Sequence, residues 1–330
     1  MIEIFFGLLG GLGLFLYGMN IMSTGLQKTA GDNLKSIIGL LTTNRLMAVI
    51  VGTVVTAIIQ SSSASTVMVV GFVNAGMMKL TQAVGVIMGA NIGTTITAQI
   101  ITFSIDKYAP VIIGISVAIW LFSRNRKIKQ LAEAFIGFGI LFLGLRFMAD
   151  SLSPLKEYEA FQEMLVSFGG FPILGILAGF FITVLVQSSS AATGILLALA
   201  MEGLVPIESG LPILFGINMG TTTTAIFSSV GANVTAKRAA AFHFIFNFVG
   251  TVIFMIFFQG ATYKIITYLT PNNVPRQIAN AHTLFNVTNT LVLLPFSGIL
   301  VKIAKKVVPG EDEFIHGIQY IDNRMLETPS

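Results

Sequence analysis

Apolar residues form runs of about twenty along most of the chain, and short polar segments separate the runs. A run of that length can cross the hydrocarbon core of a bilayer as an α-helix. The runs are continuous rather than alternating, which argues against a β-barrel. The pattern predicts an all-α polytopic membrane protein with seven membrane-spanning helices, near residues 4–26, 80–103, 109–123, 131–150, 210–230, 238–259 and 278–301.

Two further apolar stretches, 46–78 and 171–204, are each interrupted by the sequence Gln-Ser-Ser-Ser. The arm on either side of Gln60 has only about fifteen residues, fewer than the roughly 20 that a full crossing needs. We therefore predict that each stretch is a re-entrant hairpin, which enters and leaves the membrane by one face and turns at the Gln-Ser-Ser-Ser motif.

Three blocks of the sequence recur in the same order. The pairs are 52–66 with 179–193 and 89–98 with 216–225 at a shift of 127 residues, and 13–22 with 139–148 at a shift of 126. Recurrence in one order at one spacing indicates a duplication. We predict a first repeat over residues 1–127 and a second over 128–308, which carries additional C-terminal helices.

Charged residues predict the orientation of the chain. Lysine and arginine accumulate on the cytoplasmic side of membrane proteins, and the strongest basic cluster is "RNRKIK" at 124–129. Counting crossings from this cluster places the N-terminus and the acidic stretch 150–163 outside, and the C-terminus inside. The same count places these residues inside: Lys28, Lys35, Arg45, Lys79, Lys237, Arg238, Lys302, Lys305 and Lys306. An odd number of crossings separates the repeats, so the second is inverted, which is typical of secondary transporters.

Composition narrows the function classes. Only 10% of the residues are charged, against about 25% in soluble domains. The net charge of +4 reflects basic loops beside the membrane rather than a nucleic-acid surface. The absence of cysteine excludes disulfides, thiolate metal sites and cysteine nucleophiles. No Asp or Glu lies at the centre of an apolar run, which argues against coupling to protons.

The two hairpin tips are the predicted binding site. Irregular backbone inside a membrane is tolerated only where it is buried in protein or lines a wet cavity. Serine is a favoured N-cap, so the second arm should begin at the motif and point free N–H groups into the protein, an arrangement that suits an anion. Serine hydroxyls and the glutamine amide oxygen can also act as oxygen ligands of an alkali cation.

A second motif, Asn-x-Gly-Thr-Thr, begins 31 residues after each glutamine, at Asn91 and at Asn218. Its asparagine and glycine predict a break in an apolar helix, which then restarts at the threonines. By inverted symmetry all four breaks can converge near the middle of the membrane. The segments 243–247 and 282–286 form a further short repeat of the type His-x-x-x-Asn. A hydrogen bond between helices and a role beside the binding site are both open for it.

Other functions are alternatives at this point. Serine and threonine in membrane helices often bond only to their own backbone, although two motifs in register favour a site. An intramembrane serine hydrolase needs one Ser and one His within reach and an oxyanion hole, which leaves six motif serines in symmetric positions unexplained. A passive channel would differ from a carrier in lacking saturable, sodium-dependent uptake.

The paired Gln-Ser-Ser-Ser motifs in inverted repeats, each followed by an Asn-x-Gly-Thr-Thr segment, resemble the type II sodium–phosphate cotransporter family in its bacterial form. The resemblance covers about residues 5–305. It implies that the protein is not an enzyme but a secondary transporter that couples Na⁺ influx to uptake of inorganic phosphate by alternating access. The alternative is a sodium-coupled carrier of another small anion, such as sulfate, arsenate or a carboxylate.

The resemblance and the chemistry of the breaks together predict which residues contact each ion. Phosphate contacts are expected from Ser61, Ser62, Ser63, Ser188, Ser189, Ser190, Thr95 and Thr222. Sodium contacts are expected from Gln60, Gln187, Ser62, Ser189, Asn91, Thr94, Asn218 and Thr221. A supporting position behind these is expected for His243, Asn247, His282 and Asn286. No cofactor is expected, with Na⁺ acting as the coupling ion.

The predicted partners are phosphate, Na⁺ and the lipid bilayer, with no nucleic acid, and the predicted location is the bacterial inner membrane. A homodimer is a further candidate assembly. The polar tail 309–330 resembles the linker that, in many bacterial relatives, leads into a cytoplasmic PhoU-like helical domain. A native C-terminus is the alternative interpretation of that tail.

Overall fold

The computed structural model describes residues 2–30, 44–103 and 105–311. Every regular element within these ranges is helical, which confirms the all-α fold class. The α-helices are α1 (Ile2–Ala30), α2 (Arg45–Ile59), α3 (Ser62–Asn74), α4 (Leu80–Gly93), α5 (Thr95–Ile101), α6 (Ala109–Phe122), α7 (Arg126–Leu152), α8 (Glu159–Gly170), α9 (Pro172–Val186), α10 (Ser189–Met201), α11 (Ile207–Gly220), α12 (Thr222–Ser228), α13 (Val234–Ile253), α14 (Gln259–Leu269), α15 (Val274–Leu293) and α16 (Ser297–Val307). Short 3₁₀ segments cover Asp106–Tyr108 and Ser153–Glu157, and a π segment covers Phe254–Phe258.

Four helical stretches are long and apolar enough to cross a membrane. They are Ile2–Ala30, Leu80–Ile101, Arg126–Glu157 and Val234–Leu269. Two bent pairs, α8 with α9 at 111° and α15 with α16 at 88°, would raise the number of spans to six if each pair is one span. Helices α2, α3 and α10 are apolar but shorter, as expected for arms of re-entrant hairpins. The seven crossings, the inverted repeats and the orientation stay predictions.

The structure corrects three helix boundaries. Helix α8 was not expected, because Glu159 and Glu163 interrupt its apolar pattern, yet it packs by burying Leu165. The predicted helix 278–301 is not continuous: it bends by 88° next to Pro295, whose ring and missing N–H cannot continue a helix. The helix predicted to end near 259 instead continues through the π segment to Leu269.

Helices α1 and α7 form a tightly packed pair. A Cβ atom at Gly18 would lie 2.3 Å from the backbone nitrogen of Leu141, and one at Gly144 would lie 2.3 Å from that of Phe15. Only glycine allows backbones to approach this closely, as is common between membrane helices. Helices α1 and α7 are therefore in direct backbone contact, and separating them would lose that contact.

Each hairpin packs against the helix that follows it in the same manner. A Cβ atom at Gly89 of α4 would lie 2.0 Å from the carbonyl oxygen of Val49, and one at Gly216 of α11 would lie 2.0 Å from that of Ile176. These two pairs of residues occupy equivalent positions at the shift of 127. The first arm of each hairpin is thus held against α4 or α11, the helix that carries the Asn-x-Gly-Thr-Thr motif.

Some sequence predictions lie outside the described residues. These are the predicted linker beyond residue 311 and the inside position of Lys35.

Candidate functional site

The first Gln-Ser-Ser-Ser motif forms the tip of hairpin 1, which consists of α2 and α3. Helix α2 ends at Ile59, and Gln60 adopts the left-handed conformation with φ 58° and ψ 25°. Ser61 then turns extended, and its Oγ accepts a 3.1 Å hydrogen bond from the backbone N–H of Ala64. The reversal of direction is therefore built by a left-handed glutamine and a serine N-cap.

The second motif forms the tip of hairpin 2, α9 and α10, with the same geometry. Gln187 has φ 54° and ψ 22°, and Ser188 accepts a 3.2 Å hydrogen bond from the N–H of Ala191. A left-handed residue other than glycine or asparagine is uncommon, so its occurrence at both glutamines is informative. The expected helix break and serine N-cap are confirmed at both tips.

The surroundings of the two tips differ. The Oγ of Ser23 in α1 donates a 2.5 Å hydrogen bond to the carbonyl of Ile59. The amide oxygen of Gln60 accepts a 2.9 Å bond from the hydroxyl of Thr97, and Gln60 is only 2% exposed. Gln187 is exposed instead, with its amide nitrogen bonded to the carbonyl of Val184 at 2.5 Å. The glutamine of hairpin 1 is thus enclosed, whereas the glutamine of hairpin 2 is exposed.

The two hairpins also differ in a hydroxyl pair between their arms. Thr56 in the first arm of hairpin 1 donates a 2.9 Å hydrogen bond to Ser65 in the second arm. The equivalent positions of hairpin 2 are Thr183 and Ala192, and Thr183 donates to the carbonyl of Gly179 in its own helix. The arms of hairpin 2 therefore lack this link.

The hairpins exchange contacts across the two halves of the chain. Helix α3 of hairpin 1 packs against α12, and α10 of hairpin 2 packs against α5. The second of these contacts leaves a narrow crevice with no space for a water molecule. Its lining residues are Thr94, Thr97, Ala98, Ile101, Ser189, Ser190, Thr193 and His282. Predicted residues from both halves, Thr94, Ser189 and Ser190, therefore meet in one place.

The Asn-x-Gly-Thr-Thr segments interrupt their helices less than expected. Thr94, between α4 and α5, has φ −65° and ψ −23°, and Thr221 has φ −57° and ψ −28°, so both stay in the right-handed helical region. Residues 80–101 accordingly form one continuous span. The predicted interruption is nevertheless present, since α4 ends at Gly93 and α5 begins at Thr95, and α11 ends at Gly220 and α12 begins at Thr222.

Most polar side chains of these segments bond to backbone carbonyls three or four residues earlier in the chain. The hydroxyls of Thr95, Thr221 and Thr222 donate to the carbonyls of Ile92, Ile217 and Met219. The amide nitrogens of Asn91 and Asn218 donate to Ile87 and Leu214. These bonds occupy the hydroxyl protons and amide donors, and they leave oxygen lone pairs able to accept or to bind a cation.

The His-x-x-x-Asn helices contact the site from behind. Asn218 Oδ1 lies 3.2 Å from His282 Nε2 and accepts a 3.3 Å hydrogen bond from Asn286 Nδ2. In the other helix, α13, both ring nitrogens of His243 and the amide oxygen of Asn247 are buried without a hydrogen-bond partner. The interhelical hydrogen bond is therefore present for one of the two motifs only.

Several buried oxygen atoms at the site lack a partner. They lie on four helices, and all except Ser62 recur at equivalent positions: Ser62, Thr66, Thr193, Asn247, Thr251, Asn286 and Thr290. Leaving such a group unbonded costs about 1–3 kcal/mol, so these atoms are candidates for a bound ligand. The sequence did not single out the four threonines as candidate ligands. Each of them lies one helical turn, four residues, after Ser62, Ser189, Asn247 or Asn286.

The site is rich in neutral oxygen. No lysine, arginine, aspartate or glutamate lines the crevice between α5 and α10. Hydroxyls and helix N–H groups can bind an anion, and amide, carbonyl and hydroxyl oxygens can bind an alkali cation. The arrangement therefore suits binding of ions of opposite charge together.

Replacing Ser188 with alanine should lower the stability of the protein by about 1 kcal/mol, because the N–H of Ala191 loses its side-chain acceptor. Thermal unfolding of the purified protein in detergent measures the effect. Ser228→Ala is the matched control, since this exposed hydroxyl bonds only to the carbonyl of Ala225 in its own helix. Equal unfolding temperatures for the two variants would show that the cap does not hold the tip.

Comparison with known proteins decides the family. The sequence matches the family described as Na+/Pi-cotransporter over residues 14–150 and 151–270. The chain belongs to the Na+/Pi-cotransporter family. This is a family of transporters rather than enzymes, and the apolar helices make this member a multi-pass membrane protein. The resemblance recognised from the paired motifs is confirmed.

Relatives of this Na+/Pi-cotransporter family member occur in bacteria and mammals. The chain is 30% identical to the uncharacterized protein YqeW of Bacillus subtilis over 297 residues, covering 90% of the chain and 96% of YqeW. It is 27% identical over 327 residues to YjbB of Escherichia coli K12, provisionally named an inorganic phosphate export protein. It is 36% identical over 145 residues to human sodium-dependent phosphate transport protein 2B, covering 42% of the chain and 20% of that protein.

The coverage of these relatives is uneven. The match to YjbB includes 98% of this chain but only 60% of YjbB, so the chain spans little more than half the length of that relative. No solved structure matches the chain.

Proposed function

We propose that this protein binds inorganic phosphate together with Na⁺ at its two Gln-Ser-Ser-Ser tips and carries the ions across the bacterial inner membrane. The observation that carries the proposal is the paired tip geometry: a left-handed glutamine followed by a serine N-cap at Ser61 and at Ser188. The names of two relatives, a phosphate export protein and a sodium-dependent phosphate transport protein, support the substrate class.

Phosphate would bind at the starts of α3 and α10. The first N–H groups of a helix have no partner within the helix, and they lie at the positive end of its dipole. The cap serines Ser61 and Ser188 accept hydrogen bonds from the N–H groups of Ala64 and Ala191. Within the part of the chain that the structure describes, the other N–H groups of the first turns have no side-chain acceptor at these tips. The hydroxyls of Ser62, Ser63, Ser189 and Ser190, with Thr95 and Thr222 as the outer predicted contacts, would complete the phosphate shell.

Sodium would bind where oxygen atoms are left over. Gln187 uses its amide nitrogen on the carbonyl of Val184, which leaves its amide oxygen available. Asn91, Thr94 and Thr221 offer further oxygens, and Asn218 Oδ1 would bind the ion beside its contacts with His282 and Asn286. The unpartnered buried oxygens of Asn247 and Asn286 lie on helices that pack against these segments. This packing favours a position for both residues directly behind the ion contacts.

Coupling follows from charge. Burying a multiply charged anion without compensation is very costly in free energy, and no basic residue lines the crevice. Bound Na⁺ would supply the compensating charge, so the fully loaded site can cross the membrane and a site with phosphate alone cannot. The oxygen-rich lining of the crevice is the observation that supports coupling to Na⁺ in this proposal.

Alternating access would use the difference between the tips. The bond between Gln60 and Thr97 closes hairpin 1, while Gln187 is exposed and Thr224, the equivalent of Thr97, bonds to Thr221. A state with the opposite closure would bury Gln187 and free Gln60. We expect the direction of net transport to follow the ion gradients, with uptake under an inward Na⁺ gradient and export under the reverse.

Binding of radiolabelled phosphate to the purified protein tests this proposal. Binding should require Na⁺ and should vanish in choline chloride, because the anion then lacks its compensating charge. Sulfate should compete weakly, since it lacks the proton that hydrogen phosphate donates to a serine oxygen. Equal binding in choline would contradict sodium coupling, and equal displacement by sulfate would favour the alternative of a general small-anion carrier.

A further inference from the structure

The last helix, α16, presents three different faces. Ser297, Leu300 and Ala304 are buried against α13. Ile299, Ile303 and Val307 follow each other at four-residue spacing on a second face and are 56%, 40% and 64% exposed. The third face carries the exposed lysines Lys302, Lys305 and Lys306. An apolar face beside a basic face is typical of a helix that lies in the membrane interface, and the 88° bend before α16 turns it away from α15.

An open groove of about 540 Å³ lies between α16, α12 and α13. One wall is a single face of α13, formed by Lys237, Ala240, Ala241, Phe244 and Ile245. The remaining lining residues are Ile226, Ser229, Val230, Gly231, Val307 and Val308. From Lys237 to Ile245 the face extends about 12 Å, at 1.5 Å per residue. This is close to the roughly 15 Å depth of one leaflet of the hydrocarbon core.

The polar end of this groove is basic. Lys237 lies at the first turn of α13 and takes part in none of the ion pairs formed within the described residues. The neighbouring Arg238 is buried and donates hydrogen bonds to the carbonyls of Val308 and Gly310, at 3.0 and 2.6 Å. This clamp fixes Val308 as a wall of the groove. The exposed ammonium group of Lys237 therefore lies at one end of an apolar groove, and the length of this groove is close to the depth of one leaflet.

We propose that this groove is a binding site for one anionic phospholipid, with its phosphate on Lys237 and one acyl chain along Ala240, Ala241, Phe244 and Ile245. The lysines of α16 add attraction for the anionic headgroup, and the exposed Val307 leaves the groove open toward the apolar face of α16. The lipid would touch Ile226 in α12, the helix that packs against hairpin 1. The proposal does not depend on which ion the protein carries.

Native mass spectrometry of the purified full chain, with added phosphatidylglycerol or phosphatidylcholine of matched acyl chains, tests this site. The protein should retain phosphatidylglycerol preferentially, and Lys237→Gln should weaken that retention about tenfold, the loss expected for one charge-assisted contact. Retention of phosphatidylcholine should change much less in this variant, because its phosphate is already compensated by the choline cation. Ala241→Trp, which fills the groove, should reduce retention of both lipids.

Lys264→Gln is the matched control, because Lys264 is an exposed lysine in α14 and lies outside the groove. It should leave retention of both lipids unchanged. The proposal is overturned if Lys237→Gln retains as much phosphatidylglycerol as the wild type, or if both lysine variants lose it equally, as a nonspecific charge effect would produce. Since Lys237 is exposed, its substitution keeps the test valid even if Ala241→Trp fails to fold.

Discussion

Gln187→Ala should lower sodium affinity and phosphate uptake together, by about 10- to 100-fold, without a change in the unfolding temperature. The amide oxygen of Gln187 is available on an exposed side chain, so its loss removes a cation ligand and no buried contact. A contact with a charged group contributes about 1.5–3 kcal/mol, which corresponds to that range of affinity. Sodium dependence of phosphate uptake into proteoliposomes measures both quantities.

Gln60→Ala should give the same transport defect with an additional loss of stability. Gln60 is buried, and removing its amide leaves the hydroxyl of Thr97 without an acceptor, at a cost of about 1–3 kcal/mol. Gln162→Ala is the control for both variants, because this exposed glutamine bonds to the carbonyl of Lys156 away from the tips. An unchanged sodium dependence in both tip variants would remove the glutamines from the sodium site.

Gly216→Ala should destabilise the protein by about 1–3 kcal/mol or more, the usual cost of overpacking. The new Cβ atom would lie 2.0 Å from the carbonyl oxygen of Ile176, and a backbone atom cannot rotate away as a side chain can. Helix α11 would therefore have to separate from hairpin 2. The midpoint of thermal unfolding in detergent measures the change, and phosphate binding should fall with it.

Gly71→Ala is the matched control for this substitution. Gly71 lies inside α3, where an added Cβ meets no atom within 4 Å. Alanine there should be neutral or stabilising by about 0.5–1 kcal/mol, since glycine is the poorer helix former. If Gly216→Ala is as stable as Gly71→Ala, the close contact between α9 and α11 is not a feature of the protein.

The sequence predicted the tips well because the signal there is local. A glutamine and serines inside an apolar run have few explanations other than a helix end, and the structure places the N-caps at Ser61 and Ser188 as expected. The Asn-x-Gly-Thr-Thr motif predicted where the helices are interrupted, at Gly93 and Gly220, but not that Thr94 and Thr221 would keep the right-handed helical conformation. Local residue preference also could not reveal how closely α4 and α11 approach α2 and α9.

Long-range contacts were beyond the sequence pattern. Nothing local indicates that Ser23 would bond to Ile59, or that Thr97 would bond to Gln60. The different exposure of Gln60 and Gln187 could not be predicted either, since their motifs are identical and the contacts of Gln60 with Thr97 and of Ile59 with Ser23 come from distant parts of the chain. Helix α8 was missed because its glutamates obscure an amphipathic pattern.

The most direct test of the account is phosphate accumulation in proteoliposomes under an imposed sodium gradient. An inward Na⁺ gradient should drive radiolabelled phosphate above its equilibrium level inside the vesicles, and reversing the gradient should drive it out. A potassium gradient of equal size should do neither. Equal phosphate flux under sodium and potassium gradients would contradict the claim that phosphate and Na⁺ occupy one site and cross the membrane together.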